Sequence, residues 1–187
     1  MSLSPAKQEI LESMLLNENP QTATDIAKDI QKELQSVTMH LLGLRRMNYV
    51  TLPQKGLYTI TECGKQALGL PQITKEKATA ILSYAPHDRA FNFYVTIDKP
   101  LSVHAHNLRD FTTKLPKVST DSIEFHLQRS DFEAWFRDLG DEELVKKILL
   151  LKQKNLSGDV LRKKLETLTK CRYVELSKLT GAPIIME

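Results

Sequence analysis

The 187-residue sequence is poor in cysteine, glycine and proline, with 2, 7 and 8 residues of these types. Cys63 and Cys171 stand far apart and lack the paired spacing of a zinc site. We therefore expect no structural metal and two reduced thiols in a cytoplasmic protein. Few prolines, beside 41% hydrophobic and 26% charged residues, disfavour bulk disorder.

Long apolar runs and catalytic motifs are also missing from the sequence. No apolar run approaches the roughly 18 residues of a membrane helix, and the N-terminus lacks the apolar core of a signal peptide. There is no glycine-rich phosphate loop, no GxSxG motif and no cysteine in a known arrangement with histidine. We therefore predict a protein that is not an enzyme, with no cofactor, no catalytic residues and no membrane contact.

Charge is unevenly distributed, although the formal net charge is only +3. Residues 1–70 carry seven basic and seven acidic side chains and are neutral. Residues 121–143 carry eight acidic and two basic side chains, whereas residues 146–178 carry ten basic and three acidic ones. Either the two blocks dock on each other or form solvated faces, or the basic block contacts nucleic acid or an acidic partner.

The first seventy residues show the pattern helix, helix, helix, hairpin, helix. Ser4-Pro5 is a helix start, and residues 22–25 fit a capping box before a short second helix. A third helix is predicted over residues 34–48, because Val37, Leu41 and Leu44 recur at helical spacing. Residues 49–52 and 57–60 alternate like strands around the turn residues 53–56, and a last short helix follows.

This order of elements resembles the winged helix-turn-helix family of prokaryotic transcriptional regulators. The stretches that carry the resemblance are TDIAKDI, SVTMHLLGLRRMNYV and GLYTITECGKQAL. It implies a supporting helix, then a recognition helix leading into the wing, then the returning wing strand and a last helix. We therefore predict an α+β, mostly helical fold, in which a winged helix over residues 4–70 precedes a helix-rich α+β domain over residues 71–187.

The resemblance implies a regulator that binds double-stranded DNA through the third helix, as a homodimer controlled by an unknown effector. Within the major groove, Gln35 suits an adenine and Thr38 a base or a phosphate. Met39 and Leu42 suit thymine methyl groups. The positions expected to face the groove are Leu34, Gln35, Ser36, Thr38, Met39 and Leu42. The positions expected at phosphates are Arg45, Arg46 and Lys55.

Three features of the same segment favour an alternative function. Gln31 replaces the glycine that is usual in the turn, and the segment has no net positive charge. Apolar residues also occupy groove-facing positions where polar or basic side chains are common. The alternative is a non-catalytic adaptor, in which the third helix docks a protein partner.

The second half resembles a domain of unknown function from bacterial and archaeal proteins. The stretches that carry this resemblance are FNF at 91–93, NLRDF at 107–111 and the segment 122–148. It implies no chemistry, and it supports treating residues from about 75 to about 175 as one domain, for which we expect a regulatory, ligand-sensing or assembly role. We predict helices capped by Asn107, by Ser130 or Asp131, and by Asp141, with an irregular or strand-like tail after Tyr173.

A third hypothesis, a metal protein or an enzyme, depends on histidines. His104 and His106 would lie on the same face of a strand, and two imidazoles so placed can bind a metal. His126 or Asp131 would supply the third ligand. Hydrogen bonding or surface exposure is the simpler interpretation of these side chains, and we predict no metal ligands.

Overall fold

The computed structural model describes residues 3–184, which form a mostly helical α+β fold with two antiparallel hairpins. None of the helices in this range is both long and apolar enough to span a membrane. The helices are α1 Pro5–Leu16, α2 Ala23–Asp29, α3 Leu34–Arg46, α4 Glu62–Ala67, α5 Lys75–Leu82, α6 Leu108–Lys114, α7 Thr120–Arg129, α8 Asp131–Asp138, α9 Glu142–Gln153 and α10 Gly158–Thr180. The strands are β1 Val50–Gln54, β2 Leu57–Ile60, β3 Phe91–Thr96 and β4 Lys99–Ala105.

The chain divides into two compact units, the first ending at Gln72 and the second starting at Ile73. The first unit contains α1 to α4 and the β1–β2 hairpin. The second contains the β3–β4 hairpin and α5 to α10.

Local sequence signals set the helices of the first unit. The Thr22 hydroxyl accepts a hydrogen bond from the Asp25 backbone N–H at 3.1 Å, and the Asp25 carboxylate accepts one from the Thr22 backbone N–H at 3.1 Å. This confirms the predicted capping box. Val37, Leu41 and Leu44 are at most 1% exposed and pack with α1 and α2 in one apolar core. The side of α3 that faces the core is therefore the side that the helical spacing predicts.

The β1–β2 hairpin is anchored to the end of α3 by Thr61. The Thr61 hydroxyl donates to the Asn48 carbonyl at 2.7 Å. It also accepts from the Gly64 backbone N–H at 3.1 Å, and this second hydrogen bond caps α4. Asn48 itself has a left-handed backbone, with φ of 57°. Asparagine tolerates this conformation better than most residues, so it lets the chain turn sharply from α3 into β1.

Gly64 lies where α4 meets the start of the hairpin. A Cβ atom at this position would stand 2.2 Å from the Tyr49 carbonyl oxygen and 2.8 Å from Ile60 Cγ1. Both distances are far below van der Waals contact, and the first involves backbone. Only glycine therefore allows this close approach.

In the second unit, β3 lies between β4 and helix α7, above a cluster of aromatic side chains. Asn92 pairs with His104, and Phe91 with Ala105, in the antiparallel register. Asn107 and Asp141 cap α6 and α9 as predicted, each accepting from a backbone N–H three residues on. The cluster is formed by Phe91, Phe93, Phe111, Phe132, Trp135 and Phe136, all at most 7% exposed.

Two predictions for this unit were wrong. Neither Ser130 nor Asp131 caps α8 with its side chain, because each is engaged elsewhere. The Ser130 hydroxyl accepts from Lys152 Nζ at 2.9 Å, and Asp131 binds His126. The tail after Tyr173 is not irregular, since α10 continues to Thr180 and buries Tyr173 and Leu176 against the core.

A charged cluster is buried between α9 and α10. Arg172 is 1% exposed, and its guanidinium lies 2.9 Å from Asp141 Oδ2, 2.8 Å from Glu143 Oε2 and 2.8 Å from Glu175 Oε2. Burial works to lower the pKa of Arg172, but the three carboxylates outweigh it and hold that pKa above its ordinary value. The arginine therefore stays charged. Its pairs with Asp141 and Glu143 join the basic and acidic blocks of the sequence, as the docking interpretation predicts.

We expect Gly64→Ala to destabilise the first unit by about 1–3 kcal/mol, because the added methyl collides with backbone. Hydrogen exchange of peptides from residues 3–72 of the full chain measures the change. The control is Gly43→Ala in α3, where the new Cβ meets only Lys7 side-chain atoms at 3.6 Å. That variant should be as stable as the parent or up to about 1 kcal/mol more stable. Equal protection in both variants would contradict the packing argument.

We expect Arg172→Met to reduce the free energy of unfolding by about 3–5 kcal/mol, because Asp141 and Glu143 each lose a buried ion pair. Urea unfolding followed by the fluorescence of Trp135, the only tryptophan of the chain, reports on the second unit. Arg162→Met is the matched control on the same helix. Arg162 is half-buried and pairs with the exposed Asp159, so its loss should cost less, about 1 kcal/mol. A similar cost for the two variants would disprove the role of burial.

Candidate functional site

The outward face of α3 and the β1–β2 hairpin carry the residues expected to contact DNA. Gln35, Ser36, Met39, Leu42, Arg45, Arg46 and Lys55 are all exposed. Met39 is 65% exposed and Leu42 is 41% exposed, which is unusual for apolar side chains without a partner. Lys55 lies in the turn of the hairpin, between β1 and β2. The burial of the opposite stripe of α3 is what turns this face outward.

Thr38 differs from the other members of this set. It is half-buried, and its hydroxyl donates to the Leu34 carbonyl inside α3 at 2.8 Å. A phosphate needs a hydrogen-bond donor, and this hydroxyl has already used its proton. In this rotamer Thr38 suits only a donor group, such as the amino group of a base.

Charges in the first unit are segregated, although their sum is zero. Several acidic side chains have partners within the unit: Glu9 pairs with Lys32 at 3.6 Å, and Glu62 with Lys65 at 3.1 Å. Asp29 accepts from the Ser13 hydroxyl at 2.6 Å. By contrast, Arg45, Arg46 and Lys55 form no ion pair within residues 3–184. The end of α3 and the hairpin tip therefore present unneutralised positive charge.

One further base near α3 was not predicted from the sequence. A Cβ placed on Gly43 would lie 3.6 Å from Lys7 Nζ, so the Lys7 ammonium reaches the α3 backbone. Because Lys7 belongs to α1, only the tertiary packing of α1 on α3 brings it there. No local pattern in the sequence could have indicated this proximity.

The histidines of the second unit do not form the set that the metal hypothesis requires. His104 Nδ1 donates to Asn92 Oδ1, and His106 Nδ1 donates to the Ala85 carbonyl at 3.0 Å. The histidine ring close to both of them is His87, at centroid distances of 5.4 Å and 6.1 Å, and not His126. His87 follows a proline break and carried no sequence signal. In the described part of the chain, no group of three or more His, Cys, Asp or Glu side chains is arranged to hold a metal.

His126 is instead the centre of a buried hydrogen-bonded chain. Its Nε2 accepts from the Tyr94 backbone N–H at 2.8 Å, so the proton must be on Nδ1, which donates to Asp131 Oδ2 at 2.8 Å. Burial lowers the pKa of His126 and outweighs the opposing effect of Asp131. Nearby Arg129 also acts to lower it. His126 is therefore a neutral side chain that joins α7 to the edge of β3.

We expect the stability of the second unit to fall as pH decreases below about 6.5, the ordinary pKa of histidine. In this range the unfolded chain takes up a proton at His126, whereas the folded chain does so only at lower pH. The loss is up to about 1.4 kcal/mol per pH unit between the two pKa values.

The measurement is urea unfolding by Trp135 fluorescence between pH 7 and pH 5, compared with His126→Gln. Glutamine keeps one acceptor and one donor but does not titrate. The difference in unfolding free energy between the parent and the variant should therefore shrink as the pH is lowered. A difference that stays constant over this range would show that His126 does not control the pH dependence.

The comparisons with known proteins concern mainly the second unit. Residues 70–170 match the family of unknown function DUF5752. No curated protein and no solved structure matches the chain. The matched segment includes residues 91–148, over which the sequence resembles a domain of unknown function, and amounts to 101 of the 187 residues. The chain therefore belongs to the DUF5752 family, whose function is unknown.

Proposed function

We propose that the first unit is a winged helix and that the protein is a transcriptional regulator that binds double-stranded DNA. The observation that carries the proposal is the outward face of α3, which is exposed along its length and ends in unpaired arginines. A helix of this size fits the major groove of B-DNA, and exposed side chains on its first turns reach base edges. Gln35 and Ser36 occupy those turns.

The hairpin serves as the wing in this proposal. Lys55 at its tip and the arginine pair at the end of α3 contact phosphates on either side of the groove. The strand β1 spans five residues, so the hairpin is roughly 16 Å long. That distance separates the two sets of positive charge enough for them to contact different parts of the backbone.

The second unit has the regulatory or oligomerisation role. Regulators of this kind bind two-fold symmetric sites, which favours a homodimer.

We expect Arg45→Ala combined with Arg46→Ala to weaken binding to a random-sequence DNA duplex and to change its salt dependence. Each lost phosphate contact should reduce the slope of log K against log salt by about 0.9, so the double variant should lose about 1.8. Fluorescence anisotropy of the labelled duplex, over a series of salt concentrations, measures both quantities.

The charge-matched control is Lys75→Ala combined with Lys77→Ala, on the exposed face of α5 in the second unit. It should leave the affinity and the slope close to those of the parent. Binding that does not respond to salt, or equal losses in the two double variants, would rule out phosphate contacts by α3.

The exposed apolar residues of α3 favour a second candidate function, a protein-docking adaptor. Leu34, Met39 and Leu42 are 46%, 65% and 41% exposed. Such side chains suit a protein interface better than a polar groove. The same anisotropy experiment separates the two functions, because an adaptor would give no DNA binding at any salt concentration. Its partner would instead be lost with Met39→Glu.

A further inference from the structure

A cavity of about 410 Å³ opens in the second unit between β3, the β3–β4 turn, α7 and α8. This volume lies within the usual range of sites for small molecules, roughly 300–1,000 Å³. All of its lining residues fall inside the segment that matches the family. None of these lining residues belongs to the proposed DNA-binding face, whose residues lie in the first unit.

One side of the cavity is apolar and largely aromatic. Phe91 and Trp135 form its floor, with ring centroids 5.5 Å apart, and both are at most 7% exposed. Tyr94 and Phe125 add two further aromatic walls, and Ile97, which is 70% exposed, lies at the mouth. Such surfaces suit an aromatic or branched aliphatic group.

The other side of the cavity carries one positive and one negative group. Arg129 Nε lies 3.2 Å from Asp131 Oδ2, and the Arg129 guanidinium lies 5.2 Å from the centre of the Phe125 ring. Asp131 Oδ2 also accepts from His126, which holds the carboxylate in place. Within residues 3–184, neither the two Nη groups of Arg129 nor Asp131 Oδ1 makes a hydrogen bond.

These free groups are complementary to a zwitterion. The two Nη groups of a guanidinium match the two oxygens of a carboxylate. The free Oδ1 of Asp131 matches an ammonium group. The two protein charges are adjacent and opposite. A ligand with only a negative charge would therefore be repelled by the Asp131 carboxylate, and a ligand with only a positive charge would be repelled by Arg129.

We propose that this cavity binds a free α-amino acid with a large apolar side chain. The ligand carboxylate binds Arg129, its ammonium group binds Asp131, and its side chain packs against Phe125 and Trp135. The proposal does not depend on DNA binding by the first unit.

Trp135 makes the proposal directly testable, because it is the only tryptophan of the chain and lines the cavity. Titration of the full chain with L-phenylalanine, without DNA, should change the Trp135 fluorescence and saturate with a Kd below about 1 mM. L-leucine should also bind. The analogues 3-phenylpropionate and phenethylamine each lack one charged group, and each should bind at least about tenfold more weakly.

Two variants test which charged group of the ligand each protein charge binds. Arg129→Gln should weaken L-phenylalanine binding at least about tenfold and leave the weak binding of phenethylamine unchanged, since that probe has no carboxylate. Asp131→Asn should have the converse selectivity, weakening L-phenylalanine but not 3-phenylpropionate. The matched control is Arg137→Gln, an exposed arginine of α8 outside the cavity, and it should bind L-phenylalanine like the parent.

Three results would overturn the proposal. The first is the lack of any saturable change with L-phenylalanine or L-leucine up to about 10 mM. The second is equal binding of 3-phenylpropionate and L-phenylalanine, which would remove the role of the ammonium group. The third is unaltered binding in Arg129→Gln. None of them bears on the DNA-binding proposal, because the titration contains no DNA.

Discussion

The packing of α10 against α9 depends on a buried positive charge, Arg172. A guanidinium removed from water must recover its solvation energy from the protein, and here only carboxylates positioned on two helices provide it. Asp141 binds Arg172 and also accepts from the Leu144 backbone N–H, so one carboxylate both starts α9 and holds α10 against it. Glu143 bridges Arg172 to the buried Lys147, at 2.8 Å on each side. The relative position of α9 and α10 is therefore specified by ion pairs as well as by apolar packing.

The same cluster explains why the sequence has an acidic block followed by a basic block. The carboxylates at the start of α9 and the arginine in α10 are distant in sequence but adjacent in the fold. The order of charges indicates that the blocks can meet, and so the docking interpretation could be made from the sequence. Which of the ten basic residues in the block are buried could not be predicted, because their burial depends on contacts between helices.

Features with a local cause were predictable to within a few residues. The stripe of Val37, Leu41 and Leu44 depends only on helical periodicity, and the capping box at Thr22 only on a four-residue pattern. The outward face of α3 follows from the inward stripe, so the exposure of Gln35 and Arg45 required no knowledge of the rest of the chain. The hairpin after α3 was equally local, since it combines two alternating segments with turn residues.

Features created by distant contacts were not predictable. Asp131 has the sequence pattern of a helix cap, but its carboxylate binds the buried His126 instead. Without this hydrogen bond, a ring nitrogen of His126 would be buried without a partner, which costs more than an uncapped helix end. The acceptor role of His126 depends on Tyr94, which is 32 residues away. The cavity beside these residues has no sequence signal either. It arises where β3, α7 and α8 fail to fill the space between their aromatic side chains.

The distribution of charge in the first unit also bears on how such a unit would hold DNA. If only Arg45, Arg46 and Lys55 contact phosphates, log K falls with log salt with a slope of about −2.7 for each copy. A fourfold rise in salt concentration then weakens the DNA binding of one copy only about fortyfold. The same rise weakens the binding of regulators with six or more phosphate contacts much more. Non-specific attraction is correspondingly weak, so tight binding requires base contacts by the exposed face of α3 or a second copy on the same duplex. Two linked copies add their binding free energies without any new contact, and that argument, more than the net charge, favours a dimer.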